Sequence, residues 1–82
     1  MSKMSDELQV IMDFEKDNNY LRKHFKEYQE RYGGQYVAVF KEKLIAVDPE
    51  LNKNIEKIKE QGIDPSFVLI EFIPKVGTII LL

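Results

Sequence analysis

The sequence predicts a small α+β domain with the element order α-β-β-α-β-β. Three observations support this class. The residues before Gly33 show helical spacing of apolar side chains, the segments 35–40 and 67–73 are rich in β-branched and aromatic residues, and Asp48-Pro49-Glu50 has the composition of a helix start. Because 82 residues is the size of one domain, we expect residues 1–82 to share a single small core.

The first segment is predicted to be helical up to the pair Gly33-Gly34, which is expected to end the helix. A possible N-cap lies at Ser5. Asp17-Asn18-Asn19 interrupts the pattern, and because these residue types favour caps and turns we expect a kink or a break there. One kinked helix and two separate helices both remain open. The apolar stripe of this segment, at steps of four, three and four, consists of Leu21, Phe25, Tyr28 and Tyr32.

A hairpin and a second helix are predicted next. The apolar runs 35–40 and 44–47 flank the charged connection 41–43, a pattern typical of a hairpin, but the connection lacks Asn-Gly and its turn type is not predicted. Asp48 is the expected N-cap of the second helix and Pro49 its first residue. Gly62 and Ile63 are expected to end that helix in a Schellman motif.

Two further strands are predicted at 67–73 and 78–82, after the turns 64–66 and 74–77. The connection through the second helix should be a right-handed crossover, which makes the second and third strands parallel. Since the first and third strands are the longest apolar ones, we place them centrally. The predicted sheet is four-stranded and mostly antiparallel in the order 2-1-3-4, with 2-1-4-3 as the alternative, and both helices pack on one face.

The composition argues against several classes of function. The chain has no cysteine and one histidine, so a disulfide framework, a thiolate zinc site and a multi-histidine metal site are excluded within one chain. A net charge of −2 gives no general attraction for nucleic acid. No run approaches the ~18 apolar residues of a membrane span. We expect a cytoplasmic protein with no metal, no cofactor, no nucleic acid and no membrane among its partners.

Two residues are candidates for catalysis, His24 as a proton carrier and Glu71 as a buried acid. A structural interpretation is favoured for both, because His24 flanks an apolar stripe and Glu71 lies on a strand face that need only be partly covered. The pair Gly33-Gly34 follows a helix and opens a strand, the reverse of the order in a phosphate-binding loop. With no Ser/His/Asp order and no paired-acid motif, we expect no enzyme activity and no catalytic residue.

Three motifs connect the chain to a known family: Tyr32-Gly33-Gly34-Gln35-Tyr36-Val37-Ala38-Val39, Gly62-Ile63-Asp64-Pro65 and Phe72-Ile73-Pro74-Lys75. On these motifs the chain resembles a family of short domains of unknown function, found mostly in archaea and in some bacteria. The resemblance covers about residues 20–75. The family usually has proline in place of Gly34 and a glycine-containing turn in place of 41–43. The resemblance implies a small α+β domain and brings no activity, cofactor or catalytic residue.

The two longest apolar strands predict a partner, because both of their faces are apolar. One helical layer would cover a single face and leave more contiguous apolar surface than monomers usually expose. We therefore expect a non-enzymatic interaction module that forms a homodimer or higher oligomer, or binds another protein, through a sheet face or edge. The alternative is a small-ligand or nucleic-acid binder using the Tyr-bearing helix and the open sheet face. The candidate interface residues are Tyr36, Phe40, Leu69, Glu71, Ile73, Ile80 and Leu82.

Overall fold

The computed structural model describes residues 3–77 and confirms the α+β class. A 3-10 turn at Pro65–Phe67 precedes the last strand of this part of the chain. The α-helices are α1 (Lys3–Tyr32) and α2 (Leu51–Glu60), and the strands are β1 (Gln35–Phe40), β2 (Lys43–Asp48) and β3 (Leu69–Ile73). The predicted element order is therefore found as far as β3.

Within residues 3–77 the sheet is three-stranded and antiparallel with the order β2-β1-β3, which corrects the predicted four-stranded sheet. Tyr36 of β1 pairs with Asp48 of β2 on one side and with Phe72 of β3 on the other. Because both neighbours run antiparallel to β1, β2 and β3 are parallel to each other, as the crossover predicted. The alternative order 2-1-4-3 is also wrong, since β1 and β3 are direct neighbours. After β3, Pro74 offers no backbone N–H for a ladder and the chain turns.

The segment 78–82, predicted to be a fourth strand, lies outside the described residues. The candidate interface residues Ile80 and Leu82 lie there as well, so the structure gives no position for either.

The two helices lie on opposite faces of the sheet, which corrects the prediction that both pack on one face. The α1 side buries Val37 and Val39 completely, and the α2 side buries Ala38 completely. Successive strand residues point to opposite faces. The β2–α2–β3 crossover passes over β1 on the face that α1 leaves free. Each apolar face of β1 thus has its own helix, and the premise of an uncovered sheet face is lost.

In the part of the chain that the structure describes, two apolar clusters form the core, one on each face of the sheet. Both are small, as expected for a chain of this length. A side-chain hydrogen bond from Asn54 Nδ2 to the carbonyl oxygen of Tyr36 (3.0 Å) ties α2 to β1 beside the second cluster. The buried residues of the two clusters are Leu21, Tyr28, Val37, Val39 and Ile73 on the α1 side, and Ala38, Ala46, Ile58 and Val68 on the α2 side.

The helix α1 is continuous through Asp17-Asn18-Asn19, so the predicted break is absent. Asp17 is 2% exposed, and its Oδ1 accepts the backbone N–H of Glu42 at 2.7 Å. A side chain held by a distant N–H no longer competes for its own helix backbone. The proposed N-cap Ser5 lies inside α1 rather than at its start.

The ends of α2 confirm one prediction and correct another. Ile63 N–H donates to the Ile58 carbonyl at 3.4 Å and Gly62 N–H to the Lys59 carbonyl at 2.9 Å, which is the predicted Schellman motif. The helix begins at Leu51 instead of Pro49. Asp48 does not cap it, because its Oδ1 accepts the N–H of Glu50 (2.8 Å) in a turn that precedes the first helical residue.

The β1–β2 hairpin closes through two residues, Lys41 and Glu42, with φ of +52° and +60°. Positive φ at both central positions is the pattern of a type I′ turn, which normally selects Asn and Gly. Lys41 and Glu42 are neither, so residue type alone does not indicate this turn. A bulge leaves Ile45 unpaired between Ala46 and Leu44, and the Ile45 carbonyl accepts a bond from Gln61 Nε2 at 2.8 Å.

Candidate functional site

The helix α1 is much longer than the sheet on which it packs. Thirty residues span about 45 Å of helix, whereas a six-residue strand spans about 20 Å. The α1 residues that contact the sheet core begin at Tyr20. Residues 8–19 form a helical arm that precedes this packed half, and the 48 Å long axis of the described chain reflects its length.

The arm exposes apolar side chains, Leu8 and Met12 on its outer face and Ile11 on the flank beside β3. Leu8 is 59% exposed, Ile11 57% and Met12 46%. At 100° per residue, Leu8 and Met12 point away from the sheet, in line with Glu15, Asn19, Lys23 and Lys26, all of them exposed. We call these six residues the outer stripe. Exposed apolar residues in a cluster indicate an interaction site more often than scattered ones do.

The charges of α1 are distributed unevenly along its length. Residues 6–17 contain five acids and one base, and residues 22–31 contain four bases and two acids. Within the described part of the chain, Glu15 and Lys23 form no ion pair. The outer stripe therefore has an acidic, apolar half and a basic half, and its charged side chains form no ion pairs within residues 3–77.

The inner face of the arm lines a groove at the end of the sheet, with a volume of about 310 Å³. Asp13 and Asp17 lie on the arm side, and Lys41 and Asp64 lie on the opposite side. The walls between them are mainly apolar and come from residues far apart in sequence: Val10, Phe14, Phe40, Ile63 and Phe67. We refer to this feature as the groove.

The aromatic residues of α1 do not form an open platform. Tyr28 is 5% exposed, its hydroxyl donates to the Tyr20 hydroxyl at 3.0 Å, and its ring meets the Tyr32 ring edge-on at 5.5 Å. Burial and the Tyr20 hydroxyl raise the pKa of Tyr28 far above its usual value. The cluster therefore packs against β1 and β3. The Tyr-bearing helix and the open sheet face, on which the alternative function depended, are both engaged inside the protomer.

The two candidate catalytic residues are not brought together. His24 is half-buried beside the Tyr20 ring (4.4 Å between centroids), and its Nδ1 lies 3.4 Å from Glu27 Oε1. Glu71 is exposed on β3 and faces a shallow cleft beside Ile11. His24 thus lies at the edge of the core, and Glu71 is exposed rather than buried.

The predicted interface residues within the described chain occupy different environments. Tyr36 and Phe72 form an edge-on ring pair (5.1 Å), with Phe72 48% exposed. Phe40 lines the groove and Leu69 is half-buried under α1. Ile73 is 0% exposed and belongs to the core of the protomer. No single surface contains them all.

One sheet edge is already occupied by side chains of α2. Lys57 Nζ donates to the Val47 carbonyl at 2.7 Å, and Gln61 Nε2 donates to the Ile45 carbonyl at 2.8 Å. These alternate carbonyls belong to β2, which is an edge strand. Protecting an edge in this way discourages strand addition from another chain.

Comparison with known proteins assigns the chain to a family. A model described as a family of unknown function (DUF5678) matches residues 27–76. The chain belongs to this family. The family match begins in the second half of α1 and ends after β3, so the arm lies outside it. No curated protein and no solved structure matches the chain.

Neither a metal site nor a membrane-spanning helix is found in the described residues. No group of three or more His, Cys, Asp or Glu side chains there is placed to hold a metal ion. Among the helices of residues 3–77, none has the length and apolar character needed to cross a bilayer.

Neither the arm nor the groove was predicted from the sequence. The signal that pointed to them was a helix apolar on two faces, with Leu8 and Met12 opposite Val10 and Phe14.

Proposed function

We propose that the protein is a non-enzymatic interaction module that forms a homodimer through the outer stripe of α1. The observation that supports this most strongly is the exposure of about half of Leu8, Ile11 and Met12 on a helical arm. The sheet face that α1 leaves free is covered by α2 and offers no open apolar surface for a partner. Of the seven large apolar side chains that the described residues expose, three lie close together on the arm.

Antiparallel pairing of two α1 helices fits the charge distribution. A two-fold axis beside Asn19 sets the acidic half of each helix against the basic half of the other. In that register Glu15 faces Lys23 of the partner subunit, and Met12 faces Lys26 of the partner subunit. The aliphatic stem of a lysine can cover an apolar neighbour while its ammonium stays hydrated. A two-fold contact uses the same surface twice, so each pair occurs twice.

A charge-reversal cycle tests this register. Glu15→Lys and Lys23→Glu each place like charges opposite one another, and we expect each to weaken the dimer at least tenfold at low salt. The double variant restores opposite charges and should recover dimer affinity. The two residues are eight positions apart on one helix, about 12 Å, so the recovery cannot arise within one chain. Sedimentation equilibrium measures the dimer affinity of each variant.

A triple substitution of apolar residues tests whether the dimer forms through the arm or through another exposed surface. Replacing Leu8, Ile11 and Met12 by glutamine, a good helix former, should give a folded monomer. The matched control replaces three other exposed apolar residues, Leu51, Phe72 and Val76, by glutamine. A native chain that is already monomeric at 100 μM, or a control that dissociates while the arm variant does not, would contradict the proposal.

The other expectations from the sequence stand as parts of this proposal. We place the module in the cytoplasm, without enzyme activity, cofactor or nucleic-acid partner. The supporting features are the separation of His24 from Glu71 and the net charge of −2. A nucleic-acid titration giving submicromolar affinity at 150 mM salt would overturn the last expectation, because non-specific dissociation constants at physiological salt are typically about 10⁻⁴–10⁻⁶ M.

A further inference from the structure

The groove on the inner face of the arm contains a buried acid that forms no ion pair within the described residues. Asp17 is 2% exposed and accepts one hydrogen bond, from Glu42 N–H. Among the described residues it has no ion-pair partner and no second hydrogen bond. A carboxylate that has lost most of its hydration is stabilised by any cation that can reach it.

The remaining charges around the groove leave this acid uncompensated. Asp13 and Asp64 add negative charge, and Lys41 is the one base among the lining residues. The Lys41 ammonium lies 5.4 Å from the centre of the Phe40 ring and does not pair with Asp17. The Asp64 carboxylate already accepts bonds from the Ser66 N–H and hydroxyl. Asp13 accepts one bond, from Gln9 Nε2 at 3.0 Å. Asp17 is the buried one of the three acids, so it is the carboxylate that gains most from a cation, with Asp13 beside it.

The walls of the groove suit an apolar body joined to that cation. Phe14 and Phe40 line it together, and Phe67, 49% exposed, lies at the same site. Aromatic rings bind apolar groups by contact and attract ammonium groups through their faces. A volume of about 310 Å³ is at the lower end for ligand sites, so a small molecule fits it better than a helix or a folded partner.

We propose that the groove binds a small organic cation with an apolar body, namely an aromatic or branched-aliphatic primary amine. The ammonium donates to Asp17, and the hydrocarbon part lies between Phe14, Phe40 and Phe67. The apolar walls favour an organic cation over a hydrated inorganic one. This site is independent of the proposed dimer, because Asp13, Asp17 and the outer stripe lie on opposite faces of α1.

The test compares three probes of similar shape and different charge on the full chain. The probes are 2-phenylethylamine, 2-phenylethanol and 3-phenylpropanoate, followed by ¹H–¹⁵N chemical-shift titration. We expect saturable shifts with the amine, largest at the amides of residues 10–17, 40–42 and 63–67. The alcohol should bind at least tenfold more weakly, and the carboxylate should not bind.

Two variants locate the charge that matters. Asp17→Asn keeps an acceptor for Glu42 N–H. It should lower the affinity for the amine at least tenfold and leave the affinity for the alcohol unchanged. If that variant does not fold, Asp13→Asn, on the partly exposed acid, should weaken the amine several-fold. Glu56→Gln on the far side of α2 is the matched control and should have no effect. Equal affinities for amine and alcohol, shifts centred elsewhere, or no saturation by 20 mM amine would each overturn the proposal.

Discussion

Asp17 of α1 and Glu42 of the β1–β2 hairpin are joined by a 2.7 Å hydrogen bond from the Glu42 backbone N–H to Asp17 Oδ1. The two residues are 25 positions apart, and the contact fastens the arm end of α1 to the tip of the hairpin. Because the Asp17 carboxylate is bonded to Glu42, it does not compete for the backbone hydrogen bonds of its own helix, and a break in α1 is not favoured. The same bond therefore keeps α1 continuous, holds the hairpin turn in position and fixes the acid that lines the groove.

Removing this acceptor should destabilise the fold. Asp17→Ala leaves the Glu42 N–H without a partner, and we expect a loss of about 1–3 kcal/mol in the free energy of unfolding. For a domain of this size each 1 kcal/mol lowers the Tm by about 4–8 °C. Asp17→Asn retains an acceptor and should cost less than half as much. Equal Tm values for the alanine variant and the native chain would show that the contact contributes nothing.

The hairpin turn should be improvable. Lys41 and Glu42 adopt positive φ without being glycine or asparagine. Replacing the pair by Asn-Gly, the preferred type I′ dipeptide, should raise the free energy of unfolding by about 1 kcal/mol, since the left-handed conformation then costs less. The Glu42 backbone N–H is kept, so the bond to Asp17 survives. Urea titration measures the change, and a lower midpoint would indicate that the Lys41 and Glu42 side chains stabilise the turn.

The close approach at Gly33 should make that position less tolerant than Gly62. A Cβ at Gly33 would lie 2.8 Å from the Gln29 carbonyl oxygen and 3.0 Å from the Lys75 Cα, so backbone would have to move. A Cβ at Gly62 meets nothing within 4 Å, and only its φ of +77° is strained. We expect Gly62→Ala to cost about 1 kcal/mol and Gly33→Ala more than 2 kcal/mol. Thermal melting of the pair would contradict this if Gly62→Ala were the more damaging.

Acid should weaken the fold through Asp48. The Glu50 N–H, followed by Lys57, holds the pKa of Asp48 below its usual value. A carboxyl with a lowered pKa in the folded state adds stability above its unfolded pKa of about 3.9, and that contribution is lost as the pH falls through the folded value. Asp48→Asn should therefore have a shallower loss of stability below pH 4 than the native chain. Urea titrations at pH 5 and pH 3 measure the free energy of unfolding of both proteins. An equal loss between the two pH values in the native chain and in Asp48→Asn would exclude this role.

Local sequence signals predicted local structure well. The bounds of β1, the Schellman end of α2 at Gly62 and the parallel relation of β2 and β3 all follow from residue type, spacing and handedness. Three features depended on contacts that spacing does not encode. The continuity of α1 depends on Glu42, the type I′ turn lacks its usual residues, and the alternation of β1 shows two apolar faces without showing which helix covers each.

The sites were harder to predict than the fold. The groove joins Val10 and Phe14 to Phe40 and Phe67, residues that only the folded chain brings together. Glu71 was weighed as a buried acid, yet it is exposed, whereas Asp17 was taken for a turn residue and is the buried one. An acid at an inner helical position between apolar residues was the signal that could have identified it.

The most direct test of the proposed α1 pairing is a cysteine cross-link at Asn19. The native chain has no cysteine, so a single introduced thiol reports one contact. Helices packed 8–10 Å apart bring two residues on the axis within the 4.4–6.8 Å Cα separation of a disulfide. We predict that Asn19→Cys gives a covalent species of twice 9.7 kDa under mild oxidation, while exposed Lys53→Cys on α2 stays at 9.7 kDa. Equal cross-linking of the two variants, or none at Asn19→Cys, would contradict antiparallel pairing through α1.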